Sequence, residues 1–174
     1  TAEGAAYYHH TAGLVLVWPF IRRLLARLAY LNEEGAFVDR AHQLRAVMLL
    51  YYLCTGERAC IEPELPLCKL LCDVHPEEPV AVELELTDTE ETEVSRLLGA
   101  VLAANPRIAK TGIDSFRANF LLREGVLKRQ ADHWLMQMEY KTHDILLQAF
   151  PWSWSAIKFP WTREPLLVQH QAAT

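Results

Sequence analysis

The stretch Val126-Leu127-Lys128-Arg129-Gln130-Ala131-Asp132-His133-Trp134-Leu135-Met136-Gln137-Met138-Glu139-Tyr140 decides the fold. Two apolar-rich runs, Val126 to Arg129 and Trp134 to Tyr140, flank the polar link Gln130 to His133, which is the pattern of a β-hairpin. Alternation with period two puts Trp134, Met136 and Met138 on one face and Leu135, Gln137 and Glu139 on the other. Trp134 belongs to the core on this reading. Before the hairpin the periodicity is helical, and after it the chain is rich in tryptophan. The expected fold class is α+β: about five helices followed by a small antiparallel sheet in the C-terminal third.

Working toward the N-terminus, Ile113, Phe116, Phe120 and Leu121 suggest a fifth helix stopped by Gly125. Thr87-Asp88-Thr89-Glu90 fits a capping box. It opens a fourth helix whose stripe is Val94, Leu97, Leu98, Val101 and Leu102, ended by Asn105-Pro106. Glu90, Glu91 and Glu93 lie in its first turns, where the helix dipole favours negative charge. Val80 to Leu86 alternates with period two and reads as extended. A short third helix covers Leu65 to Cys72. A second helix is capped by Asp39 and closed by Gly56, with Leu44, Met48, Tyr51 and Tyr52 on its face. The first begins near Trp18 with Pro19 in its first turn. Ile21, Leu24, Leu25 and Leu28 form its apolar stripe, and Arg22, Arg23 and Arg27 lie off it. Residues 1–10, with Tyr7-Tyr8 and His9-His10, read as a flexible tail before a single domain over 11–170.

Working toward the C-terminus, His143 to Phe150 is ambiguous between strand and helix. Trp152 to Phe159 reads as a strand bracketed by Pro151 and Pro160. Three of the five tryptophans, Trp152, Trp154 and Trp161, crowd this end. They are either core or the anchors of an interface, where Trp and Tyr are preferred. Trp152, Trp154 and Trp161 and the Arg22, Arg23, Arg27 face are the candidate contacts.

The chain has 174 residues, 51% of them hydrophobic and 22% charged, which suits one globular domain. A net charge of −5 argues against a nucleic-acid binder. Gly13 to Leu31 is interrupted by three arginines, which excludes a membrane span there. There is no nucleophile elbow, phosphate loop or dinucleotide fingerprint, so no enzymatic activity is expected. His143 and Asp144 are sequence neighbours and would not face each other as a dyad in a strand.

Four cysteines, Cys54, Cys60, Cys68 and Cys72, fall in one short window spaced C-x5-C-x7-C-x3-C. Zinc sites favour tighter pairs, so buried thiols on apolar helix faces are the expectation. A zinc- or redox-active accessory domain using these four is the alternative function.

Several blocks resemble, in order, the contractile injection system tape measure protein family. Thr11-Ala12-Gly13-Leu14-Val15-Leu16-Val17-Trp18-Pro19-Phe20 is similar to its opening "NAGLVLL.PF". Arg45-Ala46-Val47 through Tyr52-Leu53-Cys54-Thr55-Gly56-Glu57 resembles "RAVHLLQYLATGE", and Lys69-Leu70-Leu71-Cys72 resembles "NKLLCG". Phe120-Leu121-Leu122-Arg123-Glu124-Gly125 resembles "FLQREG", and Trp134-Leu135 resembles "WLL". Pro151-Trp152-Ser153 to Ile157-Lys158-Phe159-Pro160-Trp161 resembles "PWSIS.IKLPW", and Glu164-Pro165-Leu166 matches the "EPL" after it. The chain departs at Thr11, where the family has Asn, and at Asp73, where it has Gly. Only the Cys72 position is usually Cys in the family.

The resemblance implies a structural part of a phage-tail-like particle, with no cofactor. It implies tube, baseplate hub or spike proteins as partners, a homotrimer or homohexamer, and assembly in the cytoplasm of the producing bacterium. It also implies an anchoring domain of a longer chain that contributes to control of tube length, which fits a first residue, Thr1, that is not Met.

Overall fold

The computed structural model describes residues 4–172. In chain order the regular elements are β1 (Ala6–His9), α1 (Trp18–Arg27), α2 (Arg40–Thr55), α3 (Pro66–Leu71), α4 (Asp88–Ala103), α5 (Ile113–Phe116), β2 (Gly125–Arg129), β3 (Trp134–Tyr140), β4 (Ala156–Ile157) and β5 (Leu166–Ala172). Short 3-10 helices cover Ala12–Val17, Glu62–Glu64 and Thr142–Ala149, and a π-helix, Arg117–Leu121, continues α5.

The local signals act as the residues dictate. Asp39 accepts the His42 amide at the start of α2 (2.8 Å), and Gly56 closes it at φ +78° with its amide on the Tyr52 carbonyl. Thr87 and Glu90 form the reciprocal capping box of α4. α1 and α3 end alike. The Tyr30 and Ala29 amides return to the Leu25 and Ala26 carbonyls, and the Val74 and Asp73 amides return to Lys69 and Leu70. This double return is the Schellman motif, whose turning residue must be left-handed. Ala29 (φ +61°) and Asp73 (φ +59°) take that role here, where glycine would be unstrained. The side chain of Asp73 in turn accepts the backbone amide and the guanidinium of Arg163, both at 3.2 Å.

The hairpin forms as read, with Trp134, Met136 and Met138 buried and Leu135, Gln137 and Glu139 half-buried. The sheet around it corrects the expectation of an antiparallel sheet built from the C-terminal third. It has five strands in the order β1-β2-β3-β5-β4, and β5 runs parallel to β3. A parallel neighbour needs a long crossover, and residues 141–165, with the 3-10 helix Thr142–Ala149 inside them, provide it. That helix resolves the ambiguous segment. The strand read over Trp152 to Phe159 shrinks to Ala156–Ile157, because the tryptophans on either side are held by the helical half.

The flexible tail is also corrected. Its residues 1–3 lie outside the described residues, but Ala6–His9 pairs antiparallel with β2 from Ala6–Lys128 to His9–Gly125. A four-residue strand is not stable by itself even with two tyrosines in it. β2 and the burial of His9 hold them in place.

The core runs through both halves without a break. At its centre lies the 3-10 helix Ala12–Val17, all six residues buried. Gly13 is required there. A Cβ would stand 2.0 Å from the Phe120 carbonyl oxygen and 2.5 Å from the Leu121 Cα. The π-helix therefore packs backbone to backbone on this turn.

Candidate interaction face

Pro19 fixes the first turn of α1, and the spacing 20, 23, 24, 27 then brings Phe20, Arg23, Leu24 and Arg27 to one side. That side meets α4. Arg27 reaches Glu93 through Nε (2.8 Å) and Nη2 (3.3 Å), and Arg96 takes the same carboxylate at 2.9 Å. The Arg27 guanidinium holds the Glu93 carboxyl below the usual carboxylate range. Between the helices is a pocket of about 90 Å³ with Phe20, Leu24, Leu97 and Ala100 in its lining.

Phe20 joins this pocket to the tryptophans. Its ring meets Trp152 edge-on at 5.1 Å. Trp152 stacks on Phe150 at 4.6 Å, and Trp154 stands edge-on to Phe150 at 6.3 Å. A shallow hollow of about 310 Å³ opens over Phe150, Trp152 and Trp154, with Leu147, Ser153 and Ser155 beside them. Trp152 and Trp154 are thus joined through Phe20 to Arg23 and Arg27, far from them in sequence, while Trp161 and Arg22 lie elsewhere.

The tryptophans are not equal. Trp161 is not an exposed anchor: it is buried, stacked on Phe159 at 4.5 Å, and donates its indole N–H to the Leu71 carbonyl (2.8 Å). Trp152 is half-buried and donates to the Leu16 carbonyl (2.8 Å). Trp18 returns the arrangement by donating to the Ser153 carbonyl (2.7 Å). Buried indole N–H groups need acceptors, and these three bonds sew the C-terminal segment to the helical half. Trp154 is half-buried, packs against the core and makes ring contacts to Phe150 and His170, with no hydrogen bond from its indole among the described residues. Arg22, Arg23 and Arg27 are exposed as expected. Arg22 points away from the pocket, toward Gly35.

The cysteines do not assemble into a ligand set. Cys54, Cys68 and Cys72 are buried, and Cys60 is half-buried, its thiol 3.7 Å from the Met48 sulfur. Burial pushes the Cys68 thiol up to about 12 and Cys60 up to about 11. Burial likewise pushes Cys54 and Cys72 well up. Metal ligation and disulfide exchange both require the thiolate, which these sites disfavour. Among the described residues no three His, Cys, Asp or Glu side chains are placed to hold one ion. His143 and Asp144 part ways, His143 facing the Asn119 carbonyl (2.8 Å) and Asp144 turning inward.

Three buried charge clusters were not foreseen. Arg123 and Asp144 form a fully buried two-pronged pair (2.5 and 2.8 Å), and His170 Nε2 lies 2.8 Å from the same carboxylate. Arg45 and Tyr30 converge on Glu90. Burial alone would raise the Glu90 carboxyl, but the Arg45 and Tyr30 hydrogen bonds with the Thr87 amide outweigh it and hold it at about 2. Lys69, almost fully buried, meets Glu62 and the Pro76 carbonyl. Two of the three join residues remote in sequence and the third, Lys69 with Glu62 and Pro76, spans seven positions each way outside any one helix, so in a helical reading each looks like an ordinary surface charge. The one local signal is that Arg45, Lys69 and Arg123 each lie inside a family-like block. A polar cleft of about 250 Å³ near Trp134 holds Asp73, Arg129, Arg163 and Glu164, but they pair with one another.

Comparison with known proteins adds the identity. No curated protein and no solved structure matches the chain. The family model described as contractile injection system tape measure protein matches residues 1–170. Among the described residues no helix is long and apolar enough to cross a membrane. The chain belongs to the contractile injection system tape measure protein family and is a component of a contractile injection particle.

Proposed function

We propose that this domain is an assembly module that anchors a tape measure to the tube, the baseplate hub or the spike, and so contributes to control of tube length. The observation that carries the reading is the aromatic run from Trp154 over the buried Phe150 to Trp152 and Phe20, which leads on to Arg23 and Arg27 of α1. Such a face combines the residue types that dominate interface energetics, aromatic rings and arginine, at the surface. Trp154, at one end of it, is the proposed anchor, because among the described residues its ring makes ring contacts and no hydrogen bond. The ring symmetry of tube and baseplate makes a homotrimer or homohexamer the natural assembly. Assembly takes place in the cytoplasm of the producing bacterium.

Purified chain is titrated against purified tube, hub and spike proteins. One of the three should bind, and Trp154→Ala should weaken that binding by about tenfold or more, as loss of an interface anchor does. Absence of binding to all three, with the chain sedimenting as a monomer, overturns the proposal.

A further inference from the structure

We propose that the arginine-ringed pocket between α1 and α4 docks an acidic segment of a partner protein that carries one aliphatic anchor residue. This deepens the anchoring function and rests on that reading of the face. The first ground is charge. Arg23, Arg27 and Arg96 all line the pocket, and Glu93 is the one carboxylate among its lining residues. Glu93 already serves both Arg27 and Arg96. Among the described residues Arg23 has no carboxylate within ion-pair distance. The chain as a whole is at −5, so this patch opposes the sign of its own molecule. Its arginine heads are in solvent: the Arg27 and Arg96 side chains are 48% and 58% exposed. Exposed pairs of this kind contribute little to stability, which leaves the excess positive charge free for an incoming anion.

The second ground is the pocket's lining. Leu24 and Leu97 belong to the core, and Phe20 and Ala100 complete an apolar wall. A volume of about 90 Å³ equals about three waters at ~30 Å³ each, or one aliphatic side chain. The guanidinium fork matches a carboxylate in two-pronged geometry, which favours Asp and Glu over a diffuse negative surface. A nucleic acid has no aliphatic side chain for the pocket.

The probe is a fluorescein-labelled heptapeptide of alternating Glu and Asp around one central Leu, followed by fluorescence anisotropy against the whole chain. Binding should be saturable and should weaken about tenfold between about 50 and about 300 mM NaCl, as screening shortens the reach of the charges. Exchanging the peptide's Leu for Ser should weaken binding by about tenfold, the scale of one buried aliphatic side chain. The double substitution Arg23→Glu with Arg96→Glu should abolish it. Ala100→Phe, which fills the pocket and leaves every charge in place, should do so independently. Peptide binding by the unaltered chain is read separately from its binding to tube, hub and spike proteins, so that a failure of the anchoring function and a failure of this pocket give different results.

Three results overturn the proposal: no saturable binding, an equal affinity for the Leu and Ser peptides, or equal binding of anionic phospholipid vesicles that Ala100→Phe leaves unchanged. Self-association of the chain that Ala100→Phe abolishes would overturn it too, by assigning the pocket to a second copy.

Discussion

Arg123 looks in the sequence like one more helix-end charge, yet no atom of its side chain reaches solvent. Its guanidinium satisfies Asp144 and the carbonyls of Phe120, Asn119 and Glu139. Replacing one member of a buried pair leaves the other charged and uncompensated, which costs about 3–5 kcal/mol. Arg123→Met should show that loss in urea unfolding. Adding Asp144→Leu should recover part of it, because the double variant buries no orphan charge. Titration gives a second expectation. Burial, with His10 beside it, holds His9 down to about 3 from an ordinary 6.5. Its neutral form therefore stabilises the fold above pH 6.5, and that contribution is lost as the pH falls toward 3. Glu90, held at about 2 against an ordinary 4.5, contributes above pH 4.5 and loses it toward 2. The urea midpoint should fall from pH 6.5 downward as acid is added, and more steeply below 4.5, where both groups contribute. His9→Phe should flatten the fall between pH 6.5 and 4.5 and lessen it from there toward 3.

At the scale of elements, helix ends matter most. α1 and α3 finish in the same left-handed turn, once on Ala29 and once on Asp73. The family has Gly at the second position, which is the residue this turn favours. Asp73 compensates by accepting two hydrogen bonds from Arg163. Ala29 is exposed and has no side-chain partner to offset its strain. A left-handed non-glycine residue costs about 1–2 kcal/mol, of which glycine's extra unfolded entropy takes back part. Ala29→Gly should therefore stabilise the chain by about 0.5–1 kcal/mol in chemical unfolding. The apposition of Ala12–Val17 and Arg117–Leu121 makes the opposite demand. Gly13→Ala should destabilise by about 3 kcal/mol or more, since backbone atoms cannot step aside as a flexible side chain could.

At the scale of the whole molecule, the two ends of the chain close the structure. β1 supplies one edge of the sheet, and the tryptophan segment folds back over the helical half through three indole hydrogen bonds. Deleting residues 1–10 removes β1, the Tyr7 ring contact with Trp134 at 6.0 Å and the buried His9. The melting temperature should fall by about 5 °C or more, as loss of ~2 kcal/mol does in a domain of this size. Hydrogen exchange at the β2 amides should quicken. A stretch that merely trailed in solvent would change neither.

The sequence by itself determined the start of α1, the capped ends of α2 and α4, the hairpin and the exposed arginines of α1, because capping, period and turn chemistry act within a few residues; the fifth helix, read as running to Gly125, instead ends at Leu121, and Gly125 opens β2. The family could also be read from it, since its blocks are runs of adjacent residues. What tertiary structure decided is every feature made by distant partners. β1 is a strand because β2 lies beside it, and β5 runs parallel because a crossover of some two dozen residues carries it to β3. Trp161 is core and Trp154 is half-buried although both sit in one aromatic-rich segment, because Trp161 finds the Leu71 carbonyl within reach. Arg123 and Lys69 are buried, and Arg45 half-buried, because carboxylates and carbonyls elsewhere in the chain meet them there. A charge's partner is a matter of three-dimensional distance, and local sequence holds no record of it.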